Sequence, residues 1–567
     1  MRLKTLLLGA AATFALAPAA MAERGADGQV NIIYWQAPST MNPYLSSGTK
    51  DVEASSLVLE PLAGFNEKGE VIAKLAAEIP SMENGGISED MKSITWKLQE
   101  GLKWSDGTPV TSADAKFTVD YCLHPEGGCA QAARYEGIES VETPDDLTVK
   151  INFKEPRPNP FTAFTGATSP ILQAAQFANC LGAAASTCTD QNFNPIGTGP
   201  FRVTSFKTND VVSLEANPEY RDPAKPAFAT VNLKGGGDAA AAGRAVLETG
   251  EFDHAWNLHL APDVLAGMEA AGKGELVTGF GTLVERIEMN MTDPSPDLPE
   301  GERSTVAHPH PILSDEKVRR ALSMAIDRNL LNEIGYGQAG RATCNLVPAP
   351  EMFASDNTEC LTQDIEGAKA LLEEAGWTVG SDGIREKDGK KLQLLYQTSV
   401  NAVRQDFQAL VKQWWSEIGV EAELKTVDAS VFFGGDAGSP DTFQKFYADV
   451  EMYANNFDGT DPEPYLAQYT CEKIPGPDNQ WQGENVNRFC DPEYDKLVVE
   501  LGKTGEIEAR ATLAKRMNDI LTKDNMVVVP LVDRGRVSAK SKTLGGVILN
   551  TWDSELWNAA DWHRVAQ

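Results

Sequence analysis

The sequence lacks the motifs by which most enzymes are recognised. It has no G-x-S-x-G, no H-E-x-x-H, no P-loop, and no G-x-G-x-x-G that opens a helix after a strand. Its 6 histidines are widely spread, and the one close set, His308 and His310, lies in a proline-rich stretch that we expect to be an exposed loop. We therefore predict no catalytic residue, no metal site and no cofactor.

Positive charge is scarce. The 567 residues include 50 Lys and Arg against 81 Asp and Glu, which gives a net charge of -31, and no run of basic residues occurs. Binding of nucleic acid needs clustered positive charge, so we do not expect a nucleic-acid partner. The length exceeds the roughly 250 to 300 residues at which a single core stops growing, and it therefore predicts two or more lobes.

Long apolar runs are also missing. The only candidate is at the N terminus, where Arg2 and Lys4 precede the apolar residues 6–17, and Ala20, Met21 and Ala22 form an A-x-A cleavage site. This run is shorter than the about 20 residues of a membrane span. We predict a cleavable secretory signal peptide over residues 1–22, and no lipid anchor because no cysteine follows the cleavage site.

The 8 cysteines fall into four pairs that are close in sequence, without a C-x-x-C motif or a histidine set at zinc spacing. Metal ligation is the alternative, but in an exported chain four local disulfides are the simpler expectation. The pairs are Cys122 with Cys129, Cys180 with Cys188, Cys344 with Cys360, and Cys471 with Cys490.

Residues 94–121, ITWKLQEGLKWSDGTPVTSADAKFTVDY, combine three local signals. Ile94, Trp96 and Leu98 alternate with polar residues, which predicts a half-buried strand. Turn formers crowd residues 105–109, and Thr111 or Ser112 can then cap a helix. A strand, a tight turn and a capped helix are expected in that order.

This stretch closely resembles the signature segment of the family 5 extracellular solute-binding proteins, which include the dipeptide- and oligopeptide-binding proteins of bacterial ABC importers. Residues 197–220, GTGPFRVTSFKTNDVVSLEANPEY, and the early EPL and KLAAEIP segments resemble the same family. The resemblance implies an α/β, bilobal, type II periplasmic-binding-protein-like fold with an additional inserted α+β domain. The expected boundaries are residues 27–63, 196–285 and 535–567 for lobe I, 64–195 for the inserted domain, and 286–534 for lobe II.

The resemblance also implies a function. We expect a monomeric periplasmic protein that captures di- or oligopeptides between its lobes. It would deliver them to an ABC permease served by separate ATPase subunits. Two alternatives stay open: the solute is an oligosaccharide or opine, or the chain is a secreted hydrolase that uses two acids of the cleft.

The most informative candidate site is the loop at residues 455–466, NNFDGTDPEPYL. In peptide-binding members the matching segment has an aspartate that receives the α-ammonium group of the peptide, and Asp458 matches that position. Asp461 matches a more structural acid before proline, and Phe457 places a ring beside the site. The segment departs from the commonest family form at Gly459, where an aromatic residue is usual.

Other candidates are weaker. Tyr34, Trp35 and Trp256 end predicted strands that face the expected cleft, where aromatic rings can cover a ligand, although core packing is the alternative for each. Arg404 lies at the start of a predicted helix, near the place where some dipeptide binders of the family hold a ligand carboxylate. The periodicity also predicts a helix over residues 51–62, ended by Pro61, and a partly exposed Trp415.

Overall fold

The computed structural model describes residues 23–299 and 301–565, and the predicted signal peptide lies outside them. Its strands, in chain order, are β1 Gln29–Tyr34, β2 Ala63–Phe65, β3 Val71–Ala73, β4 Ser93–Lys97, β5 Ile138–Asp145, β6 Thr148–Phe153, β7 Phe201–Lys207, β8 Val211–Ala216, β9 Thr230–Lys234, β10 His254–Trp256, β11 Gly274–Gly279, β12 Val284–Met289, β13 Gly340–Ala342, β14 Thr378–Val379, β15 Arg385–Lys387, β16 Lys390–Lys391, β17 Gln393–Ser399, β18 Glu421–Val427, β19 Val450–Asn455, β20 Val528–Arg534, β21 Arg536–Ser541, β22 Leu544–Gly545 and β23 His563–Arg564.

The α-helices, in chain order, are α1 Thr49–Ser55, α2 Ser112–Cys122, α3 Ala174–Phe177, α4 Thr189–Phe193, α5 Ala239–Leu247, α6 Pro262–Glu269, α7 Glu316–Met324, α8 Arg328–Gly335, α9 Ile365–Glu374, α10 Ala402–Glu417, α11 Ala429–Phe432, α12 Glu463–Leu466, α13 Pro492–Lys503 and α14 Ile507–Asp519. Among the described residues, none of these helices has the length and apolar character needed to cross a bilayer.

The first large sheet has seven strands in the order β11-β21-β10-β1-β9-β8-β7. Strand β1 lies at its centre and pairs in parallel with β9 and β10, whereas β21 returns from near the end of the chain and pairs antiparallel with β10 and β11. A central strand covered on both faces needs a nearly continuous apolar sequence, and Val30, Ile32, Ile33 and Tyr34 are all buried.

The second large sheet has six strands in the order β13-β20-β12-β19-β17-β18. Helices α7 to α10 contribute to its core, in which α10 buries Phe407, Val411 and Trp415. Asn401 caps α10 through a hydrogen bond from the Arg404 amide, and Gly419, with a φ of 81°, follows its last turn. The amphipathic period predicted this helix, because one face packs on the sheet.

A smaller sheet of order β4-β6-β5 belongs to the stretch that identified the family in the sequence. Ile94 and Trp96 are buried while Lys97 is exposed, as alternation predicts. Helix α2 begins after Thr111, whose amide donates to Asp114 Oδ2 at 2.9 Å in a capping box. The predicted strand, turn and capped helix are confirmed.

Four disulfides join the eight cysteines in the pairs adjacent in sequence. Cys122–Cys129 and Cys180–Cys188 lie beside the small sheet and its helices, and the other two lie between β13 and α9 and before α13. Each therefore closes a local loop.

Several local predictions were wrong. The helix predicted over residues 51–62 ends at Ser55, because the carbonyls of Leu57 and Val58 accept hydrogen bonds from Phe201 and Gly199 instead of continuing the helix. Trp415 is fully buried, and its indole donates to the Leu322 carbonyl at 3.0 Å. His310 is also buried, because Nε2 lies 2.8 Å from the Asp449 carboxylate and the loop folds over it.

Candidate functional site

A cleft with two connected chambers lies between the two large sheets and the residues that precede β7. The first chamber has a water-accessible volume of about 110 Å³ and the second of about 70 Å³. Residues from α1, β19, β21 and the segment before β19 line both, so the chambers are continuous. The shared residues are Ser47, Thr49, Phe443, Tyr453, Asn455, Asn456 and Arg536.

The loop after β19 brings Asp458 into the first chamber and is fixed on both sides. Thr282 accepts a hydrogen bond from the Phe457 amide at 3.1 Å and donates one to the Phe457 carbonyl at 2.7 Å. The Gly459 amide donates to the Trp552 carbonyl at 2.7 Å. The position of the Asp458 carboxylate is thus set by backbone contacts to distant segments.

Two side chains of the protein donate hydrogen bonds to the Asp458 carboxylate. Its Oδ2 lies 3.0 Å from Arg134 Nη2 and 2.6 Å from Thr168 Oγ1. The nearby Asp553 accepts backbone amides of Phe65 and Ala167, each at 2.9 Å. Burial, and then the charge of Asp458, raise the pKa of Asp553 above its usual value. Two carboxylates therefore lie close together at this end of the cleft, and Arg134 pairs with one of them.

The wall between the chambers contains Arg536 and two acids. Arg536 Nη1 lies 2.6 Å from Glu53 Oε1 and 3.8 Å from Glu555 Oε1. Burial raises the pKa of Glu53 to about 7, against the lowering effect of Arg536 and with a further increase from Glu555. The pKa of Glu53 therefore lies near neutral pH, in the wall of the first chamber.

The second chamber combines aromatic walls with buried arginines. Trp35, Trp256, Phe433, Phe443 and Tyr453 supply the rings, and Arg404 and Arg534 supply the charge. Trp35 Nε1 donates to the Asn257 carbonyl at 2.7 Å, whereas Trp256 Nε1 has no hydrogen-bond partner in the described part of the chain. This chamber can hold an apolar group beside an anionic one.

Of the six ligand-site residues predicted from the sequence, five line a chamber. Asp458 and Phe457 line the first, and Trp35, Trp256 and Arg404 line the second. Tyr34 lines neither chamber, because its ring stacks behind Trp256 with 4.5 Å between ring centroids and is fully buried. Whether the five contact a ligand stays a prediction.

Sequence reasoning missed the charged residues that accompany them, namely Glu53, Arg134, Arg286, Arg534, Arg536, Asp553 and Glu555. A usable signal existed for the strand positions, since Arg286 stands in the fully buried strand β12 and Arg536 in the largely buried β21. A charge inside an otherwise apolar strand needs a partner, which indicates a functional or paired group. Arg134 and Asp553 lie outside strands and gave no such signal.

Two acids of the cleft, Asp458 and Glu53, pair with arginines. Within residues 23–299 and 301–565, no group of three or more His, Cys, Asp or Glu side chains is arranged to hold a metal ion. The acids of the cleft are instead matched by Arg134 and Arg536.

The sequence is similar to a known protein family and to named members of bacterial transport systems. The family model of bacterial extracellular solute-binding proteins, family 5 Middle, matches residues 70–475. A Brucella ovis protein named as an ABC transporter peptide-binding protein is 27% identical over 443 residues, which cover 77% of this chain and 75% of that protein. The glutathione-binding protein GsiB of Escherichia coli O1:K1 is 24% identical over 517 residues, covering 90% and 89%.

The fold is also that of a solved protein. The oligopeptide-binding protein AppA from Bacillus subtilis, solved with a nonapeptide, superposes with a TM-score of 0.80 at 21% identity and covers 96% of this chain and 100% of its own. The structure therefore has the bilobal α/β fold of type II with an additional inserted α+β domain, and the predicted fold class is confirmed.

Proposed function

Because the chain belongs to the bacterial extracellular solute-binding proteins of family 5, we propose that it captures peptides in this cleft and presents them to the permease of an ABC transporter. Relatives named for peptide and glutathione binding support a peptide ligand. Energy for transport comes from separate ATPase subunits, since the sequence contains no P-loop.

The observation that carries the proposal is the Asp458 carboxylate in the first chamber, with a side chain only 10% exposed. An ammonium group taken out of water needs a carboxylate partner, and a desolvated charge-assisted pair contributes roughly 1.5 to 3 kcal/mol. In this proposal the α-ammonium group of the peptide binds Asp458 and competes with Arg134. Ordered water fills the space that a given side chain leaves, so different peptides are accepted.

Capture then proceeds by closure of two lobes. We assign residues 27–63, 196–285 and 535–567 to lobe I, 64–195 to the inserted domain and 286–534 to lobe II. The cleft is lined from all three, so a bound solute contacts each of them. Closure requires that the ligand bind the closed form more tightly than the open one, because equal affinity shifts no equilibrium.

The remaining properties follow from this role. The protein acts in the periplasm after removal of residues 1–22, works as a monomer, binds no nucleic acid and catalyses no reaction. The four local disulfides fit an oxidising compartment.

Calorimetry with trialanine and N-acetyl-trialanine tests the role of Asp458. We expect trialanine to bind at least 10-fold more tightly than its acetylated form, and Asp458→Asn to remove that preference. Asp120→Asn, at a position whose side chain is 56% exposed, is the matched control and should behave like the wild type. Unchanged affinity in Asp458→Asn would refute the assignment.

The ligand class needs a separate test. Native mass spectrometry of protein purified without refolding should reveal a retained peptide mass, and a sugar or opine mass would instead replace the peptide proposal. Incubation with peptides and chromatographic analysis should return them uncleaved, whereas cleaved product would favour a hydrolase.

A further inference from the structure

The second chamber contains two buried arginines that differ in their contacts. Arg404 is bound by a carboxylate, because Nε lies 2.6 Å from Glu285 Oε1 and Nη2 lies 3.2 Å from Glu285 Oε2. Its Nη1 also donates to Ser399 Oγ at 2.9 Å. The guanidinium charge of Arg404 is thus matched within the protein.

Arg534 is not matched in this way. Its nearest carboxylate oxygen is Glu285 Oε2, 3.9 Å from Nη1, and that same acid already binds Arg404. One Nη2 hydrogen is donated to Asn257 Oδ1, while Nε has no partner among residues 23–299 and 301–565. The side chain is only 4% exposed. The guanidinium also lies over the Tyr336 ring, 5.7 Å from its centroid. A buried guanidinium with an unused N–H and only a shared carboxylate at 3.9 Å is costly unless a ligand completes it.

The groups around Arg534 do not supply the missing charge. Tyr336 and His259 are the neighbouring titratable side chains, and Tyr336 donates its hydroxyl to Glu285 at 3.0 Å. Burial, and then the charges of Arg534 and Arg404, lower the pKa of His259 far below its usual value, so it is neutral. Glu555 is nearby, but together with Glu53 it surrounds Arg536.

Five apolar or aromatic side chains form part of the wall around Arg534. Trp35, Trp256, Leu283, Phe433 and Phe443 line the same chamber. Low-dielectric walls strengthen the attraction between a guanidinium and an anion, and flat rings accept an apolar group next to it.

We propose that Arg534 is the specificity-determining residue that binds a carboxylate of the ligand in the second chamber, with an apolar or aromatic group of the ligand held against Trp35 and Trp256. This inference deepens the proposed function and rests on it, since the carboxylate is then the C-terminal or side-chain carboxylate of a bound peptide. Arg404, which the sequence suggested for this role, instead holds Glu285 in place.

The proposal predicts a preferred ligand chemistry. The first chamber, whose lining also includes Arg134 and Arg536, offers Asp458 and Asp553 to a cation, while the second offers Arg534 to an anion. A short peptide can bind both chambers through its free ammonium group and its free carboxylate. An apolar residue at its carboxylate end would contact the aromatic rings of the second chamber.

The test uses N-acetyl-L-phenylalanine and its carboxamide, which have the same shape and differ in charge. Neither has an ammonium group, so the pair reports on the second chamber alone. Binding is followed by calorimetry and by the intrinsic tryptophan fluorescence of the protein, to which Trp35 and Trp256 contribute. We expect the acid to bind the wild type at least 10-fold more tightly than the amide.

Arg534→Met and Arg534→Gln should each reduce this ratio to about 1, and Arg534→Lys should keep part of it. The variants are expected to fold, because Glu285 keeps Arg404. Binding of trialaninamide, which has the free ammonium group but no carboxylate, shows whether the cleft is intact. Arg244→Gln, whose side chain is 56% exposed, is the control and should keep the wild-type ratio.

Two results would overturn the inference: equal affinity of the wild type for acid and amide, including no binding of either, or an unchanged ratio in both Arg534→Met and Arg534→Gln. Failure of the peptide proposal gives a different pattern. Free and N-acetylated trialanine would then both fail to bind, while the acid-over-amide preference and its dependence on Arg534 would persist.

Discussion

Asp458 and Arg134 form an ion pair of 3.0 Å across the cleft, although 324 residues separate them in the chain. Arg134 follows the disulfide Cys122–Cys129, and Asp458 follows β19 of the second large sheet. The pair therefore links the segment between α2 and β5 to that sheet. A cationic ligand group that approaches Asp458 meets an arginine already in place.

Replacing Arg134 by Gln should tighten binding of peptides with a free ammonium group. The competing cation is removed while Thr168 still donates to Asp458 at 2.6 Å. Both side chains of the pair are largely buried, at 14% and 10% exposure, and we expect a gain of about 1 kcal/mol, or roughly fivefold in Kd. Calorimetry with trialanine measures it. Weaker binding of both trialanine and its N-acetyl form would contradict competition at Asp458.

Gly459→Ala should destabilise the protein more than Gly383→Ala. Both glycines have positive φ, 73° and 88°, so each substitution costs about 1 kcal/mol of backbone strain. A Cβ at Gly459 would also overlap the Phe65 ring, whereas a Cβ at Gly383 meets nothing within 4 Å. We expect about 1–3 kcal/mol more loss at Gly459, measured by urea unfolding. In a Phe65→Ala background, Gly459→Ala and Gly383→Ala should cost the same free energy of unfolding. Equal losses at the two glycines in the wild-type background would disprove the overlap.

Arg510→Met should lower the free energy of unfolding by about 3–5 kcal/mol, because it leaves two largely buried acids without a cationic partner. Arg510 Nη2 lies 2.6 Å from Asp461 and 3.0 Å from Glu463, and burial raises the pKa of Glu463. Arg516→Met on the same helix is the control, since its side chain is 51% exposed and its loss should cost little. Equal effects of the two substitutions on the urea midpoint would contradict a structural role for Arg510 beside the ligand loop.

The protein should lose stability in acid through His254. Burial lowers its pKa from 6.5 to about 4, so below pH 6.5 the unfolded chain binds a proton that the folded chain does not. Stability from this group is complete above pH 6.5 and falls as the pH drops toward 4, by about 2 kcal/mol at pH 5.

Comparing the free energy of unfolding at pH 7 and pH 5 tests this assignment. His254→Phe should lose about 2 kcal/mol less than the wild type over that interval. His563→Gln, at an exposed position, should keep the wild-type difference. If His254→Phe and the wild type respond equally to pH, His254 is not the source.

The elements that could be predicted from the sequence are those whose pattern is local. Alternation around Trp96 identified β4, the Thr111 and Asp114 pair identified the start of α2, and the apolar period with Asn401 and Gly419 at its ends identified α10. The helix predicted over residues 51–62 failed because Leu57 and Val58 pair with residues near β7, which no local pattern reveals.

The candidate site divides in the same way. Trp256 could be nominated because a strand end is visible in the sequence, and Asp458 because its loop resembles the ligand-binding loop of the family. Their partners could not, because Arg134 and Asp553 reach the first chamber from remote segments. The choice between Arg404 and Arg534 also needed the structure, since it depends on which guanidinium Glu285 accepts from.

The sequence by itself determined the family and the local elements: residues 94–121 fold as their spacing and capping residues require, because those interactions join near neighbours. The tertiary structure decided which charges share the cleft. Ion pairing depends on distance in space, so only the packed sheets show that Asp458 faces Arg134 and that Arg534 is left without a carboxylate of its own.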